Sequence, residues 1–383
     1  MIKLIQKRLL FVSFIILMLM PFAEYHLKLF NPKPLDGAFE TVDKPELKWF
    51  TWKSWFNEKF QNDFNKSLES NIAYRNYLIR LNNQLDYTFF KQTSTKKAII
   101  GKSDCLYEEG YILDYIGANF LGKDSIDNLL QKTKKLQLFL KKHKNIDLII
   151  VFEPGKASFF PEYIPDKYKV EKKTISNYKY FSAQSKLLKI NNLDLNAWFM
   201  KMKNKSEYPL FPKYGVHWST YGMCLAADTL IKFIENIRKV DLPEMYWDKI
   251  NVTDKLKDVD FDIELTLNLL CELPHEKMAY PEIRFKNSGK KYKPNVLTIA
   301  DSYYWSIFNN KIPDNVFNNH QFWYYNTTIY PDIWGENAKY VDHTKDKENI
   351  EKQDVILIMV TELNLYKSFF GFVDRVYKLY ELR

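Results

Sequence analysis

Three short runs, Ile146–Phe152, Val296–Ala300 and Val355–Val360, are apolar on nearly every residue rather than on every second one. A strand with that pattern must be covered on both faces, which is the environment of a parallel sheet sandwiched between helices. The segment before the first run supplies such a helix. Ser125 is suited to cap it, and Ile126, Leu129, Leu130, Leu136 and Leu140 recur at helical spacing. The expectation is an α/β fold with one doubly wound parallel sheet flanked by helices. No internal repeat or low-complexity tract competes with this reading.

The chain ahead of this domain divides in two. Lys3, Lys7 and Arg8 precede an apolar run from Leu9 to Ala23 interrupted by Ser13 and Pro21, the charge pattern of an export signal or anchor. Residues 1–24 are therefore read as an uncleaved signal anchor, with the N-terminus in the cytoplasm and the remainder in the periplasm, held at the cell membrane by a single pass. Residues 25–96 follow as linker and stalk. Pro32, Pro34, Gly37 and Pro45 punctuate the linker, and Phe60, Phe64, Leu68, Ile72, Leu78, Leu81 and Leu85 give the stalk helical spacing. The main domain then occupies 97–383.

The formal charge is +9, from 56 basic and 47 acidic residues, but the basic residues are scattered. This excludes a dedicated nucleic-acid binder and remains compatible with a polysaccharide or a membrane surface. Three cysteines, Cys105, Cys224 and Cys271, are too few for a disulfide framework or a zinc cluster. Asp254, Asp258, Asp260 and Asp262 lie in a charged stretch without the glycine and bidentate glutamate of a calcium loop, so that stretch is expected to be a solvated surface excursion with no metal.

The run Val296–Ala300 leads directly into Asp301-Ser302-Tyr303-Tyr304-Trp305. In an open α/β sheet, reactive groups gather at the carboxyl ends of the strands, which makes Ser302 a candidate nucleophile. A serine hydroxyl also needs a base within hydrogen-bond reach. Of the six histidines, His217 alone sits in a distinctive context, Tyr214-Gly215-Val216-His217-Trp218-Ser219-Thr220-Tyr221-Gly222, immediately before a helix capped by Ser219 or Thr220. Taken by itself, that histidine reads better as a structural residue packed on Trp218.

Tyr214 to Gly222 resembles the Asp-x-His-Trp motif of the alginate O-acetyltransferase group, the AlgJ/AlgX-like (DHHW-type) SGNH proteins. Ala300-Asp301-Ser302 resembles that group's Gly-Asp-Ser block, and the histidine block precedes the serine block as it does there. Ile99 to Lys102 with Leu106-Tyr107 resembles the family's opening strand, Glu153 to Lys156 through Pro161 to Pro165 its second block, and Val360 to Leu365 its last strand and turn. The resemblance implies an SGNH-hydrolase-like fold and O-acetylation of an exported polysaccharide. It implies catalysis by Ser302 and His217 with no cofactor, the acetyl group being delivered by an MBOAT-type membrane acyltransferase. Asn364 is then the expected oxyanion donor beside the Ser302 N–H, and Lys156, Tyr303 and Tyr304 the expected substrate contacts.

The chain departs from the pattern at one important place. Gly215 stands where the family has the aspartate that orients the histidine. Three accounts stay open: a Ser302–His217 dyad, an orienting group from elsewhere such as Asp301, Glu362 or a backbone carbonyl, or loss of catalysis. The last leaves a silent polysaccharide-binding or scaffold subunit of an export complex, in which Gly215→Asp is expected to create activity. A polysaccharide acetylesterase on the same residues is a further alternative.

Overall fold

The computed structural model describes residues 2–27, 33–37, 51–71, 74–95, 97–169, 174–286, 291–330 and 338–382. Two compact units are present: residues 1–96 together with 264–273, and residues 97–263 together with 274–383.

In the first unit, a helix at Ile2–Leu27 presents Leu9, Leu10, Phe11, Phe14, Ile16, Leu17, Met18 and Leu19 outward. Among the described residues, no helix is long and apolar enough to cross a membrane. The stalk region forms helices at Trp52–Phe56, Lys59–Asn71 and Arg75–Leu85. The last of these grips the 264–273 segment: Asn83 Nδ2 donates to the Leu267 carbonyl at 2.9 Å and Arg80 to that of Leu269 at 3.2 Å. Much of the expected linker, residues 28–32 and 38–50, lies outside the described residues, as does Ile72.

The second unit is built on a seven-stranded sheet. Its strands are β1 (Asp147–Glu153), β2 (Asn192–Asp194), β3 (Val296–Ala300), β4 (His320–Tyr324), β5 (Thr328–Tyr330), β6 (Lys339–Tyr340) and β7 (Val355–Thr361), in the spatial order β6-β5-β4-β3-β7-β1-β2. The three apolar runs are the three central strands, β3, β7 and β1, and every residue in them is buried. Strands β4, β3, β7, β1 and β2 are parallel, but β5 and β6 run antiparallel at one edge, so the sheet is mixed. The reversal follows from the turn Tyr325-Asn326-Thr327. Tyr325 and Asn326 have φ of 48° and 60°, the left-handed conformation that closes a tight hairpin, and three residues leave no room for a crossover helix.

Helices α1 (Lys123–Lys144), α2 (Asn177–Leu187) and α4 (Phe372–Leu379) contribute Ile126, Leu130, Leu136, Leu140, Phe181, Phe372, Val373 and Val376 to one core with Leu148, Ile150, Phe152, Ile356 and Ile358 of the sheet. Helix α3 (Thr220–Arg238) buries Met223, Ala226, Ala227, Leu230 and Ile234. Its N-cap is Ser219, whose hydroxyl accepts from the Gly222 amide at 2.9 Å, and this cap fixes where the chain carrying His217 enters the helix. The α1 helix starts at Lys123 behind Gly122 rather than at a Ser125 cap. Ile99 and Ile100 pair antiparallel with Tyr107 and Leu106 in a separate hairpin and do not join the main sheet.

The charged stretch after α3 is not a solvated excursion. It forms two antiparallel pairs, Glu244–Tyr246 with Arg284–Lys286 and Ile250–Thr253 with Met278–Pro281. From the tip of this arm a short turn over Asp258–Phe261 brings the chain back, with the Lys257 amide donating to the Tyr280 hydroxyl at 2.9 Å.

Candidate active site

Strand β3 ends in a turn that leaves Ser302 half-buried and accessible while its neighbours Asp301, Tyr303 and Tyr304 are buried. The turn is fixed by Asp301. One carboxylate oxygen accepts from the Thr361 amide at 2.9 Å, the Thr361 hydroxyl at 2.7 Å and Asn364 Nδ2 at 2.8 Å, and the other accepts from the Tyr303 amide at 3.2 Å. Four donors satisfy a buried acid and tie β3 to the end of β7.

His217 faces this turn. Its Nε2 lies 2.9 Å from Ser302 Oγ, and its Nδ1 lies 2.5 Å from Asp262 Oδ2. The other oxygen of Asp262 accepts from the Val216 amide at 2.8 Å, so one carboxylate engages both the imidazole and the backbone that carries it. With Nδ1–H donating to Asp262, Nε2 is left as the acceptor that faces the serine hydroxyl. Burial disfavours the charged imidazole, but the carboxylates of Asp262, Asp301 and Glu108 outweigh it and hold His217 above the ordinary histidine value.

Packing stitches the two loops together. The Tyr303 ring lies 4.8 Å from the His217 ring and its hydroxyl donates to the Val216 carbonyl at 2.8 Å. Trp218 Nε1 donates to Ser306 Oγ at 2.7 Å, and that hydroxyl donates to the Tyr303 carbonyl. Half-buried Glu108 also faces the site. Desolvation raises its pKa, and Lys97, His217 and Lys367 act against the shift. At the end of β1, burial and the nearby Asp301 push Glu153 well above the usual carboxylate range.

A half-buried hydroxyl, an imidazole and a carboxylate stand in line, an arrangement chemically able to activate a serine toward an acyl carbonyl. Residues 99–248 match the family described as the SGNH hydrolase-like domain of acetyltransferase AlgX. In that stretch the chain is similar to an AlgX-type SGNH domain. Among solved structures it is similar to the O-acetyltransferase domain of Pseudomonas putida AlgJ, at 14% identity over 70% of this chain and 92% of that one, with a TM-score of 0.43. It is similar also to Pseudomonas aeruginosa AlgX, at 13% identity over 75% of this chain and 69% of that one, TM-score 0.44. Bacillus cereus PatB1 with a sulfonyl adduct shows 12% identity over 66% of this chain and 93% of that one, TM-score 0.44. A search of curated proteins gives no match.

The other residues singled out from the sequence stand in different places from those expected. Asp301 does not orient His217, because its oxygens are committed to Thr361, Asn364 and Tyr303. Glu362 does not either. Its carboxylate accepts from Ser158 Oγ at 2.6 Å and from Asn196 Nδ2. Asn364 is buried with its amide on Asp301 and on Thr361 Oγ1, so it is not presented to an oxyanion. Of the expected substrate contacts, Lys156 is wholly buried and donates to the Lys213 and Gly215 carbonyls at 2.8 and 2.6 Å. Tyr303 is a packing partner of His217, and Tyr304 is buried against Phe322 with its hydroxyl 3.4 Å from Thr298 Oγ1.

Asp262 is the residue that sequence reasoning missed. It lies 45 positions after His217, inside the stretch read as solvated surface. The one available signal was negative: a glycine where the motif wants an acid leaves the relay one carboxylate short. Among the described residues, no group of three or more His, Cys, Asp or Glu side chains is arranged to hold a metal.

Proposed function

We propose that this protein O-acetylates an exported polysaccharide through an acyl-enzyme on Ser302. The observation that carries the reading is the unbroken Ser302–His217–Asp262 line, with contacts of 2.9 and 2.5 Å. His217 Nε2 takes the hydroxyl proton as Ser302 Oγ attacks the acetyl carbonyl of the donor. The tetrahedral oxyanion is met by the Ser302 N–H, and collapse breaks the bond to the leaving group, which receives the proton from His217. An acceptor hydroxyl then enters, gives its proton to His217 and attacks the acetyl-serine. Breakdown of that second intermediate returns the proton to Ser302 and releases the acetylated acceptor.

The AlgX-type description of the matched family favours acetyl as the acyl group. The silent binding reading loses its motive, since it rested on a missing orienting acid and Asp262 stands in that role. Delivery of the acetyl group by an MBOAT-type membrane partner, tethering of the chain to the membrane by its first 24 residues, and a periplasmic location belong to the same proposal. The outward apolar side chains of the Ile2–Leu27 helix support the tethering.

The test is acetyl release from p-nitrophenyl acetate with and without an oligosaccharide acceptor, comparing wild type with Ser302→Ala. Acetylated oligosaccharide formed by wild type alone is the expected result. Acetate as the sole product would make the protein an esterase on the same residues. No serine-dependent turnover would remove the enzyme reading.

A further inference from the structure

Lys156 is wholly buried, and both hydrogen bonds from its ammonium end on backbone carbonyls of a single loop, those of Lys213 and Gly215. His217 is two residues further on. The other side of the ammonium faces the ring of Tyr107, with Nζ 5.6 Å from its centroid, and the Tyr107 hydroxyl donates to the Phe160 carbonyl at 2.5 Å. The neighbouring strand is fastened to the same loop, the Leu106 amide donating to the Lys213 carbonyl at 3.0 Å. A buried ammonium is costly unless its position matters, and a lysine that merely filled space here would be replaced advantageously by an apolar chain of the same length.

We propose that Lys156 is a positioning residue for the Ser302–His217 pair: by clamping the carbonyls of Lys213 and Gly215 it sets the height of the His217 ring between Ser302 and Asp262. The inference deepens the acyl-transfer reading and rests on it for its kinetic consequence, but the geometry it asserts is independent of the substrate. The field around the clamp agrees. Burial lowers the Lys156 pKa, while Cys105 and the Asp262 carboxylate act in the opposite sense and favour the charged form. The Asp262 carboxylate is held from the far side by the Val216 amide, the residue between the clamped Gly215 and His217. The loop is thus fixed at 213, 215 and 216, and any movement of the clamp is felt one or two residues later at the imidazole.

The experiment uses the full chain, as wild type, Lys156→Met and Lys156→Gln, with three readouts: melting temperature, rate of Ser302 labelling by phenylmethylsulfonyl fluoride followed by mass spectrometry, and the imidazole ¹⁵N signals of His217 across pH. Because a 1 Å displacement of a reacting group costs on the order of 100-fold, a folded Lys156→Met protein is expected to label about 100-fold more slowly. Its His217 titration should also move from the wild-type midpoint. Lys156→Gln, which keeps a neutral donor, should fall between the two and serves in place of the methionine variant if that one does not melt cooperatively. Wild-type labelling rate and wild-type His217 titration in either folded variant would overturn the proposal. If Ser302 is unreactive in wild type, the serine mechanism fails by itself, and the His217 titration still decides whether Lys156 positions the ring.

Discussion

The carbonyl oxygen of Val259 occupies the space beside Gly215: a Cβ built on the glycine would lie 2.2 Å from it, and 2.9 Å from Pro212 Cγ. The position that carries the orienting acid in the resembling motif is therefore filled here by the backbone of the arm that brings Asp262 to His217. The absent aspartate and the displaced aspartate are two sides of one arrangement.

Gly215→Asp is accordingly expected to damage the protein rather than to repair it, contrary to what the motif alone suggests. Gly215→Ala suffices as a test. Forcing a methyl group against main chain costs roughly 1–3 kcal/mol and displaces the arm. A lower melting temperature and a reduced rate of acetyl release are expected together in Gly215→Ala, and Gly215→Asp should be worse in both.

Asp262→Asn keeps the shape of the side chain but no longer fixes the imidazole tautomer. By analogy with other serine–histidine–aspartate relays the loss in kcat is on the order of 10⁴-fold, with little change in KM. The pH profile supplies a second check. His217 must be neutral to act as base, so activity rises with pH through its folded-state pKa, which lies above the ordinary histidine value because Asp262 and its fellow carboxylates outweigh burial. Removing the Asp262 charge leaves the burial penalty in place, and the midpoint of the rise should shift to lower pH in the variant.

Asp260 is buried two residues before Asp262, and burial pushes it up to about 7, partly offset by the Tyr280 hydroxyl and the Thr220 amide. An acid whose folded pKa is raised contributes fully to stability below its unfolded value. That contribution is lost as pH rises from about 4 through about 7, because the unfolded chain ionises first. Asp260→Asn should therefore leave melting near pH 4 almost unchanged and raise the melting temperature at pH 8 relative to wild type. An equal effect at both pH values would contradict this assignment.

Asn364 discriminates between two roles by the kind of damage its loss causes. As a donor to the buried Asp301 carboxylate, its replacement by alanine should cost roughly 1–3 kcal/mol of stability. As an oxyanion donor, its loss would lower kcat by about 10²–10³-fold at unchanged stability. The hydrogen bond to Asp301 predicts the first outcome, with a fall in melting temperature and a kcat change smaller than about tenfold.

The parts of this fold that could be read in the sequence are those set by local pattern. Continuous apolar runs located β1, β3 and β7, and strand-end and helix-start signals brought Ser302 and His217 forward as a pair. What could not be read depends on contacts between distant segments. Asp262 meets His217 because a β-arm turns back, and neither the strands Ile250–Thr253 and Met278–Pro281 nor the positive φ of Asp258 has a distinctive composition. Lys156 shows the same limit. A lysine reaching a substrate and a lysine clamping a loop are identical in sequence, and burial alone separates them. The β4–β5 hairpin escaped notice because Tyr325, an unusual residue for a left-handed turn position, occupies its first corner.

The most direct test of the central claim is intact-mass and peptide-mass analysis of the protein after brief exposure to p-nitrophenyl acetate, in wild type, Ser302→Ala, His217→Ala and Asp262→Asn. The account predicts one acetyl group on Ser302 in wild type, none at that site in the first two variants, and greatly slowed accumulation in the third. Acetylation elsewhere with Ser302 unmodified, or undiminished acetylation of Ser302 in His217→Ala, would contradict it.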